Sequence, residues 1–146
     1  MNIFMLDTDP VKAAQAHIDR HVVKMLIEYA QIMSAAHRLW TPANEINPVI
    51  YQLTHKGHPS VKWAALNRYN YTWLNSLWMA LHDEYQHRCG KHKVHVSYAK
   101  LKTILVFPPH EMPMYPRPDY QAPFTSLEMK PEHQAVGDMK QDDPVE

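Results

Sequence analysis

Near its start the chain carries a stretch that, coiled as a helix, is apolar almost all the way round. Ala14, Ile18, Val22, Met25, Tyr29, Ile32 and Ala36 recur at helical spacing, while Val23, Ile27 and Ala30 point nearly the opposite way. A helix of this kind must be buried, so the rest of the chain has to wrap it. One narrow stripe breaks the pattern: His17, His21, Lys24, Glu28 and Gln31 recur at spacings of four, three, four and three. Those side chains fall within roughly 80° of one helix face. The stripe is either the helix's only window to water or the wall of a pocket, and the function turns on which.

The surrounding pattern is helical too. Asp9 reads as an N-cap with Pro10 at the first helical position, opening a helix that runs to about Leu39. A break near Asp19 would divide it into two helices of more ordinary length. Ile3 to Leu6 reads as a short extended piece, and residues 46–54 as a short helix before the turn at residues 55–59. From Pro59 to about Arg88 the apolar residues Val61, Leu66, Tyr69, Trp73, Leu77, Leu81 and Tyr85 repeat near helical spacing, with Gly90 as the stop. A further helix is expected over residues 95–106. Seven of the twelve prolines then fall in residues 108–131, interleaved with Tyr115, Tyr120 and Phe124, which predicts an extended wrap over the helices. The expected architecture is all-α: a compact domain of three to five helices over residues 1–107, the Pro-rich wrap over 108–131, and a polar, mobile tail over 132–146.

A chain of 146 residues suffices for one domain with a real core. No apolar run approaches the roughly 18 residues of a membrane span, and the N-terminus lacks the pattern of a signal peptide. The single cysteine, Cys89, excludes an internal disulfide framework and suits a reducing, cytoplasmic setting. Glycine occurs only at 57, 90 and 137, so no glycine-rich phosphate loop can form. Residues 128–146 hold six acids against two lysines, leaving 13 bases and 9 acids in residues 1–127. That body can bind a polyanion without being basic enough to demand one.

Candidate chemistry centres on the stripe. His17 and His21 stand four apart, as two ligands of one metal can, but without the adjacent glutamate of a zincin; two stacked histidines on a helix rim are the commoner arrangement, and neither metal nor cofactor is expected. Lys24 and Glu28 on a solvated face make an ion pair worth about 0.3–0.5 kcal/mol. In a dry cleft the same lysine becomes a nucleophile, and the carboxylate can stabilise positive charge on a sugar ring or take up a proton, with His21 as donor or shuttle. Two basic clusters are candidate phosphate contacts or simply solvated helix ends: His55, Lys56, His58 and Lys62, and the run His87-Arg88-Cys89-Gly90-Lys91-His92-Lys93. Basic neighbours could lower the Cys89 pKa, but a lone cysteine is far more often structural or incidental than catalytic. Asn67, Arg68 and Asn70 either read a polar ligand edge or tie helices together, and Trp63, Trp73 and Trp78 either stack on a base or fill the core.

Two of these segments carry a resemblance. Residues 20–32, from Arg20-His21-Val22-Val23-Lys24 to Glu28-Tyr29-Ala30-Gln31-Ile32, and residues 57–63, Gly57-His58-Pro59-Ser60-Val61-Lys62-Trp63, resemble in order and separation two segments of the pyrimidine-dimer DNA glycosylase (endonuclease V-like) family. The chain is also similar to small proteins of tailed phages with an HxxxHVVKM segment, here His17 to Met25, an HPxxKW…NYxWL segment, here His58 to Leu74, and a Gly-Lys-x-His-like stretch, here Gly90-Lys91-His92. The resemblance covers residues 10–95. It implies a compact all-α protein of the host cytoplasm that binds duplex DNA, extrudes a base, and cleaves its N-glycosidic bond with lyase follow-up.

Carried onto this sequence, the resemblance places catalysis on His21, Lys24 and Glu28. Phosphate or substrate contacts then fall to His17, Arg20, His58, Lys62, Arg68, Asn70, Arg88, Lys91 and His92. Enzymes of the family use an N-terminal amine freed by methionine removal; here the bulky Asn2 predicts retention of Met1, so a Met1 amine or Lys24 would substitute, or the lyase step is absent. The phage proteins continue into another helix where this chain stops at Asp142-Asp143-Pro144-Val145-Glu146, which suggests truncation. Two other functions are compatible with the same residues: a catalytically silent protein that grips nucleic acid or a nucleotide, and an accessory protein that docks a host partner through residues 108–131.

Overall fold

The computed structural model describes residues 2–114. Among them lie five α-helices and one 3₁₀ turn, with no strand: α1 (Pro10–Gln15), α2 (Asp19–Trp40), the 3₁₀ turn (Ala43–Glu45), α3 (Pro59–Ala64), α4 (Arg68–Cys89) and α5 (Val96–Leu105). The two 22-residue helices, each roughly 33 Å long at 1.5 Å per residue, form the frame. α1 packs on α4, while α3 and α5 pack on α2. The expected all-α class is the observed one.

α2 is buried on both apolar sides, as its composition requires: Val22, Met25, Leu26, Tyr29, Ile32, Met33 and Ala36 on one, Val23 and Ala30 on the other. Ile27 alone of these apolar residues is exposed. Against it α4 sets Tyr71, Leu74, Leu77, Trp78, Leu81 and Tyr85, all fully buried. Three helices meet at one carbonyl. The Trp78 indole Nε1–H (2.8 Å) and the Ser97 hydroxyl (3.2 Å) both donate to Leu26 O, fastening α4 and α5 to the same turn of α2.

The first expected helix takes the anticipated break near Asp19, and the second is broken as well, by a cap that was not anticipated. α1 opens as anticipated, with Asp9 accepting from Val11 N–H and Pro10 in the first turn, but it ends after Gln15. His17 therefore lies in the bend before α2 and does not share the helix face of His21, Lys24, Glu28 and Gln31. The second helix stops at Ala64. There Asn67, in extended conformation, turns its side-chain oxygen onto Asn70 N–H at 2.8 Å and starts α4 afresh. Continuous apolar spacing from Val61 to Tyr85 concealed this break, because the two helices share a core. Loss of this buried cap in Asn67→Ala is expected to remove about 1 kcal/mol and lower the melting temperature by about 4 °C; Asn67→Asp, which keeps the acceptor, should retain most of it, as thermal denaturation by circular dichroism will show.

Residues 46–54 form no helix and hold only a turn at residues 48–49; there Arg38 draws the chain across α2 by donating to Tyr51 O (2.6 Å) and Ile50 O (3.0 Å). Residues 3–6 have no strand partner. They run as two tight i→i+2 turns, Met5 N–H to Ile3 O and Leu6 N–H to Phe4 O, with Ile3, Phe4 and Met5 buried. The described start of the Pro-rich segment, residues 108–114, turns at the head of α4. Arg68 donates from Nε to Met112 O and from Nη2 to Pro109 O and His110 O, and its backbone N–H reaches Pro113 O. The remainder of the expected wrap, its host-partner role and the tail over 132–146 lie outside the described residues. No helix among those described is long and apolar enough to cross a membrane.

Candidate functional site: the outward face of α2

α2 can bury its apolar sides only by turning one edge outward, and that edge is the polar stripe. Arg20 and Lys24 are exposed, while His21, Glu28 and Gln31 are half-buried beside them. Lys24 Nζ stands 3.6 Å from a Glu28 carboxylate oxygen, with the lysine side chain 66% exposed and the glutamate only 16%. The pair is thus asymmetric: the carboxylate sits down in the surface and the amine stands in water. The dry cleft that a nucleophilic lysine needs is not present around Lys24. His21 stacks on the Phe4 ring (centroids 4.4 Å apart, planes at 20°), so the N-terminal segment forms one wall of the stripe.

Beneath this wall lies a closed polar chain. The Ala13 carbonyl can only accept, so His17 Nδ1, 2.6 Å away, carries the proton. Its Nε2 then accepts from the Tyr29 hydroxyl (2.8 Å), whose oxygen accepts from Phe4 N–H (3.1 Å). Burial depresses the His17 pKa from 6.5 to about 4, with nearby His21 and Arg88 adding to the effect and the Ala13 bond opposing it. Burial also raises that of Tyr29. A fully buried, neutral His17 cannot meet a phosphate; it positions the segment that walls the stripe.

The other expected contacts divide sharply. Arg88 is interior, its side chain 7% exposed, and donates to Asp19 Oδ1 (2.9 Å), Glu84 Oε1 (2.7 Å), His17 O (2.9 Å) and Gln15 O (2.9 Å). It locks the end of α4 to the α1–α2 bend instead of facing a ligand. Asn70 is buried, donating to Trp63 O, and serves the helix break. His58 caps α3 through Nδ1, accepting from Ser60 N–H, and burial lowers its pKa. Arg20, Lys62, Lys91 and His92 remain exposed. At Gly90 φ is 133°, and a Cβ there would come within 2.9 Å of the His92 ring, so glycine both permits the turn and seats His92. Lys100 and Lys102, not anticipated as contacts, extend this basic end, their ammonium groups 5.8 Å from the centroids of Tyr51 and Tyr98.

Burial raises the Cys89 pKa, outweighing Lys93 and Arg88, so activation by basic neighbours does not occur. Trp78 is core and Trp63 nearly so; Trp73 alone reaches the surface. Among the described residues no three His, Cys, Asp or Glu side chains are grouped as metal ligands would be. Comparison with protein-family models, with curated proteins and with solved structures finds no match to this chain.

Proposed function

We propose that the chain is a DNA N-glycosylase acting on damaged or modified pyrimidines, with Glu28 as its essential carboxylate. The observation that supports this reading is the half-sheltered Glu28 held beside solvent-exposed Lys24 and half-buried His21 on the one polar edge of an otherwise buried helix. A carboxylate largely withdrawn from bulk water at the surface suits the stabilisation of positive charge developing on a deoxyribose ring. Water then attacks C1′ as the C1′–N bond breaks, Glu28 taking the water's proton and His21 supplying one to the departing base. Lys24, standing in water, acts as a phosphate contact and as the partner that orients Glu28. On this reading base release is hydrolytic and the lyase step is dispensable. Arg20, Lys62, Lys91, His92, Lys100 and Lys102 supply further phosphate contacts.

The test is incubation of end-labelled duplexes bearing a thymine dimer, a modified pyrimidine or an abasic site, with alkali and borohydride arms. Alkali-revealed cleavage is expected, without a borohydride-trapped adduct. Glu28→Gln should lower it by about a hundredfold or more, and Lys24→Ala by about tenfold with a shallower salt dependence. A trapped adduct lost in Lys24→Ala would transfer the nucleophile to that amine. Absence of base release on every duplex would overturn the reading.

A specific observation favours the silent-binding alternative: no acid lies between Glu84 and Glu111, while Lys91, Lys93, Lys100 and Lys102 do, beside the internally paired Arg88. It predicts saturable binding whose affinity falls with salt, and no turnover.

A further inference from the structure

A recess of about 420 Å³ opens on the outer face of α4, near the head of α1 and away from the Lys24–Glu28 pair. Tyr69, Thr72, Trp73 and Ser76 line it, one helix face at spacings of three, one and three, and Arg68 and Met114 border it. Tyr69 is 61% exposed, so much of its ring faces solvent. Trp73 is fixed in orientation, its indole N–H donating to Thr8 O at 2.8 Å and its ring set edge-on to Trp63. Arg68 is immobilised by the three carbonyls of residues 109, 110 and 112, and its Nη1 has no partner among the described residues. The recess therefore combines two aromatic faces, two hydroxyls and a stationary cation with an unused donor edge.

We propose that this recess binds a nucleoside monophosphate unit, its base stacked on Tyr69 and Trp73 and its phosphate met by Arg68. The volume lies at the small end of ligand sites, too little for a docked helix and enough for one nucleotide. Aromatic faces favour a planar ring whatever its edge, the Thr72 and Ser76 hydroxyls each offer a donor and an acceptor to that edge, and a held guanidinium selects phosphate over a neutral group. Such a unit arises either as free nucleotide or as one residue of a single strand. Phe4, stacked on His21, and Thr8, bonded by Trp73, are four residues apart, so their backbones lie within about 14 Å. One strand can therefore reach both the recess and the α2 stripe. The site does not depend on glycosidic cleavage.

The experiment titrates the full chain with thymidine 5′-monophosphate, thymidine and an eight-residue oligothymidylate, reading tryptophan fluorescence and the Trp73 indole N–H resonance. Saturable shifts of that resonance are expected with the monophosphate, about tenfold weaker with thymidine. Tyr69→Ala, an exposed change that spares the fold, should weaken binding about tenfold with unchanged melting temperature. Tighter binding of the oligomer identifies a strand as the source, and equal or tighter binding of the monophosphate identifies free nucleotide. No saturable shift, no loss in Tyr69→Ala, or equal affinity for thymidine would each overturn the proposal. Activity lost in Glu28→Gln with nucleotide binding retained would separate this site from the catalytic reading.

Discussion

Replacing Arg88 by methionine is expected to cost about 3–5 kcal/mol of folding stability, a large share of the roughly 5–15 kcal/mol that holds a domain together. Asp19 is wholly buried at the first turn of α2, and the guanidinium 2.9 Å away balances its charge. Methionine fills the volume but leaves that carboxylate in a low-dielectric site, and it removes the donor from the Gln15 and His17 carbonyls at the α1–α2 bend. A double variant, Arg88→Met with Asp19→Asn, should recover part of the loss, because an amide is far less costly to bury than an unpaired charge. Urea denaturation of the four proteins at pH 7 gives the coupling between the two residues. A loss below about 1 kcal/mol in Arg88→Met would mean that Arg88 is a surface contact after all, as its place in a basic run suggested.

That contrast explains what the sequence could and could not convey. Periodicity identified α2 and α4 because a buried apolar face leaves a direct trace in residue spacing, and Asp9-Pro10 marked the start of α1 because capping is local chemistry. The breaks at residues 16–18 and 65–67 left a weaker trace. At both, the apolar spacing continues across the interruption, and the side chain that holds the bend has a partner set by folding or by a local cap: Arg88, from 70 residues away, bonds the carbonyls at the first, and Asn67 restarts the helix at the second. Residues 46–54, read as a helix, are held in the same way, Arg38 bonding the carbonyls at 50 and 51.

The geometry of the candidate site was legible in part. Lys24 and Glu28 were placed together by their spacing of four, and they pair. Whether the cations expected as phosphate contacts were free was not written in the sequence. Arg68, Arg88 and Lys91 look alike as letters, yet Arg68 fastens residues 109–113, Arg88 neutralises Asp19, and only Lys91 stands in solvent. The recess on α4 had a signal in the 69, 72, 73, 76 spacing, but apolar neighbours at 71, 74, 77 and 78 carry the stronger one. Two faces of one helix were competing for the same reading.

Acid should unfold this protein well above the range in which ordinary carboxylates titrate. Burial depresses the pKa values of His17, His37 and His82 from 6.5 to about 4. Between those limits the unfolded chain binds protons that the folded chain refuses, so stability falls as pH falls from about 6.5 to about 4 and this contribution levels off below 4. For the fully buried His17 the depression amounts to roughly 3 kcal/mol. Its main cause is burial of the ring away from water, and a proton on Nε2 would also take from the Tyr29 hydroxyl hydrogen the acceptor it now uses. His82 acts in the same direction, since its Nε2 accepts from His95 N–H and protonation ends that bond. His37 adds to them from its place 2.8 Å from the Tyr71 hydroxyl. Urea midpoints measured at pH 7, 6, 5 and 4 should decline steadily, and His17→Gln should begin lower at pH 7 but decline less steeply. Because the His17–Tyr29–Phe4 chain seats the wall against which His21 stacks, exchange of the Phe4 amide should quicken over the same pH window before the core of α4 opens. A midpoint flat from pH 7 to 4 would show that the folded chain accommodates the imidazolium, and the buried network would then have to rearrange to accept it.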